Sequence, residues 1–155
     1  MYKKMFYIVL FVPEIPGNTG SIGRTCVALD IPLILIKPYG FDINEKSVRR
    51  AGLDYWKYLQ LKEYNDWDDF LKNEKPQEKE MFFFSRKAGT NYLKADFTSE
   101  CYLIFGSETK GLPGFLRDDY PNQFVYMPMF SEHIRSLNLS NVATAAAYEC
   151  LRQLN

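Results

Sequence analysis

The chain has 155 residues, and 19 Lys plus Arg balance 19 Asp plus Glu to give zero formal net charge. That length suits one domain, residues 1–155, with a core of its own, and a content of 46% apolar and 25% charged residues excludes intrinsic disorder and a polybasic tail. Neutrality argues against a protein that coats nucleic acid nonspecifically, because such affinity comes from many Lys and Arg displacing counterions; a local basic face stays open.

An apolar run over residues 6–12 predicts a buried first strand. Lys3 and Lys4 ahead of it imitate a signal peptide. However, Pro13-Glu14-Ile15-Pro16 stands where a small-residue cleavage site would, and the run is too short to span a bilayer. A soluble, cytoplasmic protein with no membrane partner is the expectation. A helix follows over 19–29, then a strand over 33–36 and helices over 44–51 and 67–73. The polar stretch 73–80, with Pro76 inside it, reads as an exposed connection. Strands are expected at 81–84, 102–105 and 124–127. The final helix is expected at 139–154, where Leu139, Val142, Ala143, Ala146, Ala147, Cys150, Leu151 and Leu154 repeat with three-and-four spacing. Most strand runs are continuous rather than alternating, which favours strands buried on both faces. The fold class is therefore α/β, a parallel sheet covered by helices on both faces.

Cys26, Cys101 and Cys150 are odd in number and far apart, no CxxC occurs, and His133 is the one histidine. Neither a disulfide framework nor a metal site is expected. The 12 Phe, 11 Tyr and 2 Trp suffice for both a core and a surface that stacks on bases.

Three loops, each after a strand run, are the candidates to carry chemistry, because ligands of α/β sheets bind at the carboxyl ends of the strands. The first, residues 13–24, spaces Gly17, Gly20 and Gly23 as GxxGxxG, unlike a dinucleotide fingerprint. It is either a functional loop or a plain helix start, capped by Asn18 or Thr19 with Arg24 in solvent. The second, residues 105–113, holds Gly106 and Gly111 but has Leu112 and Pro113 where a P-loop needs Lys and Ser or Thr. It is a tight turn bringing backbone amides to a ligand, with Glu108 near its tip as a site residue or an ordinary exposed carboxylate. In the third, residues 134–141, Ser136, Asn138, Ser140 and Asn141 exceed the needs of one N-cap, and a ligand is the economical partner for them. His133 beside it reads as an ordinary loop histidine rather than a general base.

Taken in this order, the loops resemble the three signature motifs of the SPOUT class of RNA methyltransferases, in its ribose 2′-O-methylating branch. Asn18-Thr19-Gly20 with Arg24 is similar to the first motif, Phe105 to Pro113 to the second, and Ser136-Leu137-Asn138-Leu139-Ser140-Asn141 to the third. A further segment, Arg49-Arg50-Ala51-Gly52-Leu53-Asp54-Tyr55, is similar to a hallmark of the small tRNA wobble-nucleotide 2′-O-methyltransferases. Gly17, Gly23 and Lys110 depart from the family pattern, standing for a proline, a bulkier residue and an arginine.

The resemblance implies a C-terminal deep trefoil knot, a homodimer whose cofactor site is completed by the partner's first motif, and S-adenosylmethionine as methyl donor without a metal. It implies catalytic roles for Arg24, Asn18, Glu108, Ser136 and Asn138, and a cofactor site at Phe84, Gly106, Gly111, Met127, Ser136 and Leu137. Contacts to a tRNA anticodon stem-loop would come from Arg49, Arg50, Tyr55 and Lys110, with Lys57, Lys87 and Trp56 as further candidates. The implied reaction methylates the ribose of cytidine or uridine 34. The alternatives are another tRNA or ribosomal RNA site, or a catalytically silent RNA-binding protein.

Overall fold

Runs with apolar side chains on both faces are stable only between two helical layers. The computed structural model, which describes residues 5–41, 55–86 and 89–155, has that arrangement. The strands are β1 (Tyr7–Phe11), β2 (Leu33–Ile36), β3 (Leu61–Tyr64), β4 (Met81–Ser85), β5 (Thr90–Asn91), β6 (Tyr102–Phe105) and β7 (Phe124–Tyr126). They form one parallel sheet in the order β3-β2-β1-β6-β4-β7-β5. The α-helices of the described residues are α1 (Pro16–Leu29), α2 (Trp67–Glu74), α3 (Gly114–Asp119) and α4 (Leu139–Leu154).

Successive strand residues point to opposite faces, and the core divides accordingly. Ile8, Leu10, Leu33, Leu35, Leu103 and Phe105 meet Ile22 and Cys26 of α1 and Ala143, Ala146, Ala147 and Cys150 of α4. Val9, Ile34, Ile36, Phe83 and Ile104 meet Trp67 and Phe70 of α2 and Leu116 of α3. The small residues of α4 allow close approach to α1, and the Thr25 and Thr144 hydroxyls hydrogen-bond at 2.7 Å across the pair. The three cysteines are free, buried thiols. Burial pushes the Cys26 thiol up, and the Cys101 and Cys150 sulfurs lie 3.7 Å apart inside the core.

The expected strands at 33–36 and 102–105 and the helix at 139–154 match residue for residue, and the first strand is shorter by one residue at each end. Two strands and a helix escape the sequence pattern. β3 reads Leu-Lys-Glu-Tyr on the sheet edge, β5 has two residues, and α3 has six. Helix α1 begins at Pro16, three residues before the expected start, because a proline in the first helical turn gives up no hydrogen bond. Its N-cap is Ile15, so neither Asn18 nor Thr19 caps it. The expected helix at 44–51 lies outside the described residues.

Candidate functional site

The carboxyl ends of β1, β4, β6 and β7 open onto a cleft of about 1520 Å³, larger than the roughly 300–1,000 Å³ of an ordinary small-molecule pocket. All three loops contribute to its walls, together with the end of β4 and the segment after β7. Asn18, Phe84, Gly106, Glu108, Lys110, Gly111, Met127, Ser136, Leu137 and Asn138 all line it. Arg24, Tyr55 and His133 do not, and Arg49, Arg50 and Lys87 lie outside the described residues.

The second loop is locked by its own backbone. The Gly111 amide donates to the Ser107 carbonyl at 3.0 Å, and the Lys110 amide donates to the Ser107 hydroxyl at 3.2 Å. Gly111 sits at φ 67°, the left-handed region where a side chain is strained. A β-carbon on Gly106 would lie 2.1 Å from the Gly111 carbonyl carbon, so the turn closes only over glycine.

The chain leaves β1 through Val12 at φ 53°, a conformation that costs a β-branched residue on the order of 1–3 kcal/mol. Helix α1 then starts against the second loop. The Glu108 carboxylate accepts from the Glu14 amide at 2.8 Å and from the Ile15 amide at 3.2 Å. Glu14 reaches back and accepts from the Thr109 amide at 3.2 Å and from its hydroxyl at 2.7 Å. Chiefly through the Thr109 hydroxyl, the Glu14 carboxyl is held below the usual carboxylate range.

The third loop ends in the N-cap of α4, where the Asn138 side chain accepts from the Ser140 amide at 2.9 Å. Its Nδ2 donates to Asn18 Oδ1 at 3.1 Å, tying the first loop to the third. The His133 amide donates to Ser131 Oγ in an exposed turn. Phe130 is 97% exposed and Ile134 55% exposed on the same wall, an apolar surface open to a partner.

Charge on the cleft is unbalanced. Arg86, Lys110, Arg117 and Arg135 line it, against Glu132 and a Glu108 already occupied by backbone donors. Arg117 lies 4.9 Å over the Phe124 ring and donates to Ser85 Oγ at 3.2 Å. Sequence reasoning missed Glu14, Arg86, Arg117 and Arg135, since no spacing marks a charged residue in a loop, at a strand end or on the short helix α3 as facing a cleft.

Away from that wall, Arg24 projects from α1 into solvent and donates to the Tyr55 hydroxyl at 3.2 Å, its guanidinium carbon 4.9 Å from the ring centre. Gly23 answers to Trp56. A β-carbon there would meet the indole at 2.7 Å, so the glycine seats the Trp56–Tyr58 turn on α1. This packing accounts for a glycine where the family pattern has a bulkier residue, and it occupies one side of Trp56.

Residues 5–148 match the SpoU rRNA Methylase family. A protein of Burkholderia cenocepacia named tRNA (cytidine(34)-2'-O)-methyltransferase is 43% identical over 150 residues, covering 96% of each chain. A solved structure described as giving structural insights into the 2-OH methylation of C/U34 on tRNA superposes with TM-score 0.91 at 37% identity, covering 99% of this chain and 98% of that one. A SpoU methyltransferase of Streptomyces viridochromogenes, AviRb, solved in complex with the cofactor AdoMet, superposes with TM-score 0.82 at 25% identity over 99% of this chain and 62% of that one.

Proposed function

Since the chain belongs to the SpoU rRNA Methylase family, we propose that it methylates the ribose 2′-hydroxyl of nucleotide 34, cytidine or uridine, in the tRNA anticodon. The observation that carries this reading is the likeness, along the whole chain, to proteins named for that reaction, combined with a cleft where all three loops meet. The chain is an RNA methyltransferase that uses S-adenosylmethionine.

The cleft fits this cofactor. Phe84, Phe105, Met127 and Val142 give it an apolar floor for a flat ring, and the open space beside Gly111 lets a ligand approach the backbone closely. We assign Phe84, Gly106, Gly111, Met127, Ser136 and Leu137 to holding it. When bound, S-adenosylmethionine supplies an electrophilic methyl group on a sulfonium that leaves readily.

What the chain adds is alignment and charge. Asn138 spends its Oδ1 on the α4 N-cap and an Nδ2 proton on Asn18, so this pair fixes the wall on which Ser136 sits. Glu108 orients α1 instead of moving a proton, because its oxygens already accept from two amides. Arg24 brings a planar cationic fork. Its role is to stabilise the oxyanion that develops as the hydroxyl reacts, or to hold the adjacent phosphate. The basic rim of Arg86, Lys110, Arg117 and Arg135 suits the RNA backbone, with Arg49 and Arg50 as further contacts and Tyr55 beside Arg24 to stack on a base.

The active unit is a cytoplasmic homodimer, one domain per chain, with α4 drawn through a deep trefoil knot. Two features favour the dimer: Arg24 lies outside its own chain's cleft, and Phe130 and Ile134 are exposed beside that cleft. The test is transfer of tritium from labelled S-adenosylmethionine to tRNA from a strain lacking the protein, followed by nuclease mapping. Label at nucleotide 34 is expected. Label elsewhere would move the site, and cofactor binding without label on any RNA would favour a silent RNA-binding protein.

A further inference from the structure

Glu14 and Thr109 are 95 residues apart, lie in two different loops, and have no part in the chemistry assigned above. Yet each loop bonds the other in both directions. Glu108 accepts from the amides of Glu14 and Ile15, and Glu14 accepts from the amide and hydroxyl of Thr109. The exchange gives each carboxylate its own pair of donors. We propose that this reciprocal latch is a positioning device, and that Glu14 and Thr109 are positioning residues which set where the first turn of α1 presents Asn18 to the reacting ribose.

The geometry of the connection supports this. Ile15 is the N-cap of α1, and its carbonyl accepts from the Asn18 amide at 3.1 Å, so a shift of Ile15 is passed on within one helical turn. Asn18 in turn accepts from Asn138 on the opposite wall. The second loop cannot absorb such a shift, because the Gly106 and Gly111 turn is closed by backbone contacts. The first helical turn is thereby suspended between two walls of one cleft. The latch is exposed to solvent, and bonds in such places stabilise a fold weakly. Misplacing a reacting group by about 1 Å, by contrast, costs up to about 100-fold in rate.

The inference rests on the methyltransfer reading, and the experiment separates the two. Glu14→Ala, Glu14→Gln, Thr109→Val and Thr109→Ser are compared with the unaltered protein for methyl transfer to tRNA, S-adenosylmethionine Kd by calorimetry, and Tm. Thr109→Val removes the hydroxyl donor and keeps the shape, while Thr109→Ser restores the donor. Glu14→Gln keeps one acceptor oxygen. Glu14→Ala and Thr109→Val are expected to lower kcat about tenfold, with the cofactor Kd within about twofold and Tm within about 2 °C of the unaltered protein. Thr109→Ser is expected to recover at least half of the lost rate, and Glu14→Gln to fall between Glu14→Ala and the parent. Unchanged kcat in Glu14→Ala, or a loss of cofactor affinity equal to the loss of rate, would overturn the latch. An inactive parent that still binds the cofactor would instead overturn the methyltransfer reading.

Discussion

Among the described residues, Arg24 is exposed and hydrogen-bonds the Tyr55 hydroxyl. In the proposed mechanism its value lies in the planar fork of five donors, which can grip an oxyanion or a phosphate at two points. Arg24→Lys keeps the charge and loses the fork, so kcat is expected to fall roughly 10- to 100-fold while cofactor affinity holds. Single-turnover transfer to tRNA checks this, and near-parental turnover would remove the fork from the mechanism. Asn18 and Glu108 are visible in the sequence as polar residues in glycine-rich loops, and Ser136 and Asn138 as part of a crowd of small polar residues ahead of the last helix. Their partners are not. Which amide a carboxylate accepts from, across 94 residues, depends on the sheet order that brings β1 beside β6, and that order has no local signature.

At the scale of elements, α2 is anchored by its last residue. Burial alone would raise the Glu74 pKa, but the Tyr64 and Tyr102 hydroxyls and the Lys62 ammonium more than offset this and hold it below the usual range. The folded pKa is therefore lower than the unfolded one. The stabilisation is present above an unfolded pKa of about 4.3 and is lost as pH falls through the folded value. Glu74→Gln is expected to cost about 1–3 kcal/mol at pH 7, and the gap to the parent should close as pH drops below about 4. Denaturant titrations at pH 7, 5 and 3.5 check it; a gap that does not narrow at all between pH 7 and pH 3.5 would assign the loss to packing. The same cluster shows why β3 was illegible. Lys62 and Glu63 break the apolar run, as suits a strand on a sheet edge, and Tyr64 contributes through a hydroxyl rather than through hydrophobic period. The central strands were legible because burial on both faces leaves an unbroken apolar run.

For the whole molecule, the separation of Arg24 from the cleft of its own chain makes the shared-site dimer testable. Arg24→Ala and Asn138→Ala are each expected to be nearly inactive. If one chain's Arg24 serves the partner's cleft, a mixed dimer holds one doubly damaged site and one intact site. Unfolding and refolding an equal mixture should then restore about a quarter of parental activity, half the dimers being mixed with one working site each. Mixtures no more active than either variant alone would place both residues in a site built from one chain. The pairing of sheet and helices was legible from sequence; the far side of a symmetric assembly leaves no trace in the pattern of one chain.

The seat that Gly23 makes for Trp56 also gives the protein an internal optical reporter. The chain has 2 tryptophans. Trp67 is enclosed among Phe11, Phe70, Phe83 and Tyr120, whereas Trp56 rests half-buried on α1 against Gly23, the residue before Arg24. If the anticodon is held at Arg24 as proposed, indole emission combines one enclosed signal, indifferent to RNA, with another beside that face, so its colour would read occupancy of the face without any added label.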